Sequence, residues 1–179
     1  MRTDGSRNRA AILDAAREMV SEPGELHLSA VAKKAGVGQG TLYRHFASRD
    51  DLLAALYTDE IDDLVDAAES LVAAHAPDEA LRRWFERLAA YARVKVGIIE
   101  VVEASVWADM SSTTHDKLGR ALTTLLAAGV ESGQVRRDVD PRDVILLSWF
   151  LAHVGADEWR DRVPRLLDVL LDGLRTRER

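Results

Sequence analysis

The sequence predicts an all-α protein of about nine helices, and three observations carry that expectation. Apolar residues recur every three or four positions along most of the chain, which is the period of a buried helix face. The stretches between these runs hold glycine, proline and short polar clusters, the residues that end helices. No segment shows the strict alternation of a half-buried strand, an internal repeat or low complexity. Of the 179 residues, 47% are apolar and 30% are charged, enough for both a core and a solvated surface.

The elements follow in order. Ile12, Leu13, Ala16, Met19 and Val20 mark a helix over 9–20, which Pro23 and Gly24 stop. Leu28, Val31, Ala32 and Ala35 mark a short helix that Gly36 ends, and a second short helix fits 39–45. Ser48 followed three residues later by Asp51 reads as a capping box opening a long helix, 49–74. Its inner face would be Leu52, Leu53, Leu56, Tyr57, Ile61, Leu64, Val65 and Leu71. Pro77, Asp78 and Glu79 suit a first helical turn, and the stripe that follows is Leu81, Trp84, Phe85, Leu88 and Tyr91. Gly97 is read as a break before a buried apolar helix, Ile98 to Trp107. Met110 to Thr114 is read as a polar turn, and Lys117 to Ser132 as a helix closed by Gly133. Asp140 and Pro141 suit an N-cap and first turn for a helix reaching Val154, and a last helix is expected from Pro164 to Arg175.

Bulk properties narrow the function. There are no cysteines, which removes disulfides, thiolate metal sites and cysteine nucleophiles. No apolar run reaches the roughly 18 residues of a membrane helix, and Met1 to Asn8 is polar, so a cytoplasmic protein with no membrane partner is expected. The net charge of −6 is unevenly spread: residues 1–50 hold eight basic and six acidic side chains, and the rest of the chain is acidic. A catalytic centre has no support. The five histidines are scattered, with no His-Glu-x-x-His pair, nucleophile elbow or phosphate loop. Asp62 and Asp63 are adjacent on a helix and diverge, so they read as a charged face. No catalytic residue, metal or cofactor is expected.

Residues 28–46, LSAVAKKAGVGQGTLYRHF, carry the logic of a helix-turn-helix. Ala32 is small enough for two short helices to cross closely. Gly36 supplies the left-handed end of the first helix, Val37 and Leu42 fill the angle, and Phe46 anchors the second helix. Gln39, Thr41, Tyr43, Arg44 and His45 would face outward, toward a major groove.

The run GVGQGTLYRHFASRDDL, Gly36 to Leu52, resembles the signature of TetR-family repressors: a Gly-Val turn, Gly-Thr-Leu-Tyr, a His before Phe, and a basic residue opening the next helix. The resemblance covers roughly residues 7–65. It implies a DNA-binding domain over 1–48 and a C-terminal ligand-binding and dimerisation domain over 49–179, joined by the helix 49–74. It implies a repressor that binds a palindromic operator on double-stranded DNA as a homodimer, through a recognition helix at 39–45 that includes Gly40. By the same resemblance Tyr43, His45 and Arg49 would grip phosphates, while Gln39, Thr41 and Arg44 would reach bases or flanking phosphates. Lys33 and Lys34 would add positive charge, and an arm with Arg2 and Arg7 would reach a neighbouring groove. The chain departs from the pattern at His27, where a capping Thr or Ser is usual.

The C-terminal half is less specific. Trp84, Phe85, Tyr91, Trp107, Met110, Trp149 and Phe150 either line a cavity for an apolar small-molecule effector or pack the core. Glu100, Glu103 and His153 are candidate polar anchors or ordinary solvated side chains. The last two helices would form the dimer interface, since Leu166, Leu167, Leu170 and Leu171 are more than one face can bury, or else a wider internal core. A DNA-binding regulator without a ligand, and a helical enzyme or scaffold on the same fold, stay open as alternatives.

Overall fold

The computed structural model describes residues 2–20, 26–99, 104–155 and 157–176, with backbone only for Arg2, Thr3, His115, 93–99 and 104–113. Eight α-helices are formed among them: α1 (Arg2–Val20), α2 (Leu28–Lys34), α3 (Gln39–His45), α4 (Arg49–Ala74), α5 (Pro77–Ile99), α6 (Ala104–Glu131), α7 (Pro141–Leu147) and α8 (Trp159–Leu174). A 3₁₀ segment, Ser148–Ala152, continues α7. The described residues hold no strand; one isolated bridge joins Val135 to Arg175.

Several helix ends are written in local chemistry. Ser48 and Asp51 form the reciprocal capping box: Asp51 N donates to Ser48 Oγ at 3.0 Å, and Ser48 N donates to Asp51 Oδ2 at 3.1 Å. The Asp140 carboxylate accepts from Arg142 N at 2.7 Å, with Pro141 in the first turn of α7. Gly36 (φ +67°) and Gly133 (φ +77°) occupy the left-handed region. Each closes its helix with the same pair of bonds, Val37 N to Ala32 O and Gly36 N to Lys33 O after α2, and Gln134 N to Gly129 O and Gly133 N to Val130 O after α6.

The expected segmentation needs five corrections. Gly97 does not break α5, and 110–114 is not a turn but part of α6, so the described residues form eight helices where about nine were expected. Once a helix is nucleated each further residue adds a hydrogen bond, and an isolated glycine or a run of Ser and Thr costs too little to stop it. α1 begins at Arg2, which makes the expected N-terminal arm a helix with Asp4 in its first turn. The helix from Pro141 ends at Leu147 and tightens into the 3₁₀ segment, where Ser148 Oγ donates to Ile145 O at 2.7 Å. α8 starts five residues before Pro164, which sits inside it close enough to the N-terminus that few backbone bonds are lost.

The chain divides into two compact units: Met1–Glu60 with Val94–Trp107, and Ile61–Arg93 with Ala108–Arg179. In the first, Ile12, Leu13 and Ala16 of α1 are buried with Val31, Ala32, Leu42, Phe46 and the first inner residues of α4. In the second, Trp84 and Phe85 are wholly enclosed in an edge-to-face pair, centroids 5.4 Å apart, and the Trp84 indole N–H donates to Leu64 O at 2.9 Å. That bond ties α5 to the second half of α4. Of the predicted inner face of α4, seven residues are buried and Val65 is half-buried.

Candidate nucleic-acid interface

α2 and α3 meet as the sequence logic requires. Ala32 is buried at the contact, Gly36 turns the chain, and of the seven residues of α3 Leu42 is the buried one. Gln39, Gly40 and Arg44 are exposed, Tyr43 keeps 54% of its surface in solvent, and Thr41 and His45 are half-buried. This short helix therefore gives one side chain to the core and presents amide, hydroxyl, phenol and guanidinium groups together. Phe46, just past its end, is buried with the Arg9 guanidinium 5.7 Å from its ring centre. The His45 ring lies 6.3 Å from the same ring.

Arg44 folds back along α3. Its Nε donates to Gly40 O at 3.1 Å, and its Nη2 donates to Thr41 Oγ1 at 3.1 Å. Arg49, at the start of α4, is half-buried, and its Nε is enclosed without a hydrogen-bond partner. Lys33 is exposed, whereas Lys34 pairs with Glu18 at 2.7 Å. Arg7 pairs loosely with Asp4, and the Arg2 side chain lies outside the described residues. His27 precedes α2 without a side-chain capping bond; its carbonyl joins the helix, accepting from Ala30 N and Val31 N.

One cluster was only partly legible in the sequence. Arg17 of α1 donates to Glu60, to Asp59 (3.2 Å) and to Asp14 (2.7 Å), and Arg9 lies 3.9 Å from Asp59. Burial alone would lower the Arg17 pKa, but the hydrogen bond and charge of Glu60, then Asp14, outweigh it and raise the pKa above the ordinary arginine value. In the second unit the next acidic residue of α4, Asp62, takes Lys117 of α6. The Asp14/Arg17 spacing was a signal for one of these contacts; the others join residues more than forty positions apart.

The proposed ligand residues do not converge among the described residues. Trp84 and Phe85 are core, with no exposed surface. Trp149 is 55% exposed and borders an open groove of about 720 Å³ with Arg120 and Arg142. Phe150 faces a different groove of about 430 Å³ between α7 and α8. His153 is exposed, its Nδ1 2.9 Å from Trp149 O. Glu100 and Glu103 lie outside the described residues, as do the side chains of Trp107 and Met110. Leu167, Leu170 and Leu171 are buried within the chain, so the apolar surplus falls instead on Leu146, Leu147, Trp149, Leu166 and Val169. The run Val144 to Phe150, too broad for one stripe, was the available signal.

Among the described residues no group of His, Asp and Glu could hold a metal ion, and no helix is long and apolar enough to cross a membrane. Residues 12–56 match the family model for bacterial regulatory proteins of the tetR family, and residues 76–176 match that for the C-terminal domain of SbtR-like transcriptional regulators. The chain belongs to the TetR family. This TetR-family regulator is 30% identical to the HTH-type transcriptional repressor LfrR of Mycolicibacterium smegmatis, over 94% of this chain and 88% of that protein. Its fold resembles that of the TetR transcriptional regulator SCO0520 from Streptomyces coelicolor, with a TM-score of 0.85 and 35% identity over 95% of this chain and 99% of that one. It also resembles a TetR regulatory protein from Mycobacterium vanbaalenii, with a TM-score of 0.75 and 30% identity over 98% and 99% of the two chains. The TetR-family regulator is thus a DNA-binding transcription factor and not an enzyme.

Proposed function

We propose that this regulator is a cytoplasmic homodimeric repressor that binds a palindromic operator through α3 and releases it when a small, largely apolar effector binds the C-terminal unit. The observation that carries the reading is α3 itself, which buries Leu42 and leaves Gln39, Tyr43 and Arg44 to solvent. In a dimer two such helices would enter successive major grooves about 34–36 Å apart. Tyr43, His45 and Arg49 would hold phosphates and set the register, with Lys33 adding charge; Gln39 and Arg44 would meet base edges. The dimer would form through α7 and α8, whose exposed Leu147, Leu166 and Val169 line one apolar groove.

Release would act through α4, one 26-residue helix with residues in both units. The Trp84 and Lys117 contacts hold its second half, so an effector that repacks α5 or α6 has a lever on the helix-turn-helix. The coupling is reciprocal: operator DNA must weaken the effector by the factor by which the effector weakens DNA. A second reading, a regulator with no effector, is favoured by the complete enclosure of Trp84 and Phe85.

The deciding measurement is fluorescence anisotropy on the protein's own upstream DNA beside a scrambled duplex. Preference for the native sequence is expected; Tyr43→Phe and Arg49→Ala should weaken both duplexes alike, and Arg49→Ala, which removes a charge, should also flatten the salt dependence. Equal affinity for a selected best site and random DNA would overturn the operator reading. A thermal-shift screen of apolar compounds that yields no ligand able to lower operator affinity would favour the second reading.

A further inference from the structure

The two bonds made by Arg44 divide its guanidinium. The N–H of Nε and one N–H of Nη2 point along the same lateral edge, and these go to Gly40 O and Thr41 Oγ1. The terminal edge, Nη1 with the second hydrogen of Nη2, has no partner among the described residues, and the side chain is exposed. A guanidinium fixed along one edge loses little further rotamer freedom when the other edge binds. Two parallel donors match the O6 and N7 acceptors that guanine shows in the major groove; adenine places a donor where O6 would be.

Resting on the DNA-binding reading above, we propose that Arg44 reads one guanine in each operator half-site and that Thr41 is the positioning residue that sets its guanidinium for the task. Thr41 acts through its hydroxyl on Arg44. The same free edge fits a phosphate, so the source of the acceptors is what the experiment decides.

The test is selection of bound duplexes from a random library by the full-length protein and by the Arg44→Ala, Thr41→Val and Thr41→Ser variants, followed by titration of single-base changes. The wild type should enrich a fixed guanine in each half-site, and replacing it with adenine should cost about 5- to 150-fold in affinity. Arg44→Ala, which leaves no donor, should lose that preference while still enriching the remaining positions. Thr41→Val should reduce it, Thr41→Ser should keep it, and Thr41→Val in an Arg44→Ala background should change it no further. A guanine preference that survives Arg44→Ala overturns the assignment. So does an Arg44→Ala loss that is equal on every sequence, which identifies a phosphate contact. Thr41→Val behaving as wild type overturns the role of Thr41. If the wild type enriches no sequence at all, the operator reading itself fails, an outcome distinct from enrichment without the guanine.

Discussion

A glycine inside a helix is ordinarily improved by alanine, by about 0.5–1 kcal/mol, because the backbone loses less entropy on folding. Gly129 reverses that sign. It lies in the last turn of α6, where its carbonyl accepts from Gln134 N and Val135 N, and a Cβ there would meet Val135 Cγ2 at 2.3 Å and Val135 Cβ at 2.9 Å. Val135 is 4% exposed, and the strand of chain it belongs to is held from the far side by Arg136 N to Leu174 O at 2.9 Å and Thr176 N to Gln134 O at 3.0 Å. It has little room to withdraw. Overpacking of this kind costs about 1–3 kcal/mol, so Gly129→Ala should destabilise by about 1–2 kcal/mol net. That is a fall in melting temperature of about 2–8 °C at this chain length. Val135→Ala removes the nearer atom and should lower the cost of the added methyl below about 1 kcal/mol, a coupling readable in a double-mutant cycle by urea unfolding. Stabilisation by Gly129→Ala in the wild-type background, or a cost unchanged by Val135→Ala, would refute the packing argument.

Gly40 gives the opposite case: it lies within α3, and nothing stands within 4 Å of an added Cβ. Gly40→Ala should therefore raise stability by about 0.5–1 kcal/mol in thermal melts while weakening operator binding in anisotropy titrations, if DNA approaches that backbone. Arg17→Gln should cost about 1 kcal/mol, the pairs being partly exposed, and the loss should shrink in high salt when melts at low and high ionic strength are compared. Leu147→Glu with Val169→Glu places charge on two side chains that are 61% and 70% exposed. Monomer stability should hardly change, but in a two-fold dimer each substitution counts twice, so sedimentation should show self-association weakened by about tenfold or more.

The helix-turn-helix was legible because its determinants are local. A left-handed glycine, a small residue at a crossing and a Ser/Asp capping pair act within three or four positions, and each behaves in the structure as its chemistry requires. Gly97 and the Ser-Ser-Thr-Thr run misled because their effect depends on the helix already formed around them. The aromatic residues of the second unit were illegible one by one. Trp84 and Trp149 look alike in a helical stripe, yet one has no exposed surface and the other more than half. Only packing between elements distant in sequence separates them, and the same holds for the acceptors of Arg17.

Those acceptors also decide where a hybrid sensor could be spliced. A helix boundary invites a cut at the capping box, between Ser48 and Arg49. A head transplanted at that seam would arrive with Arg17 half-buried and bereft of Asp59 and Glu60, and with Arg9 deprived of its ion pair. Carrying the donor sequence through Glu60 preserves that set whole, and Asp62 with Lys117 stays with the recipient. As far as these ion pairs go, the seam belongs midway along α4 and not at its start, and chimaeras built on either seam would differ in whether the graft keeps its charge set before any question of operator choice arises.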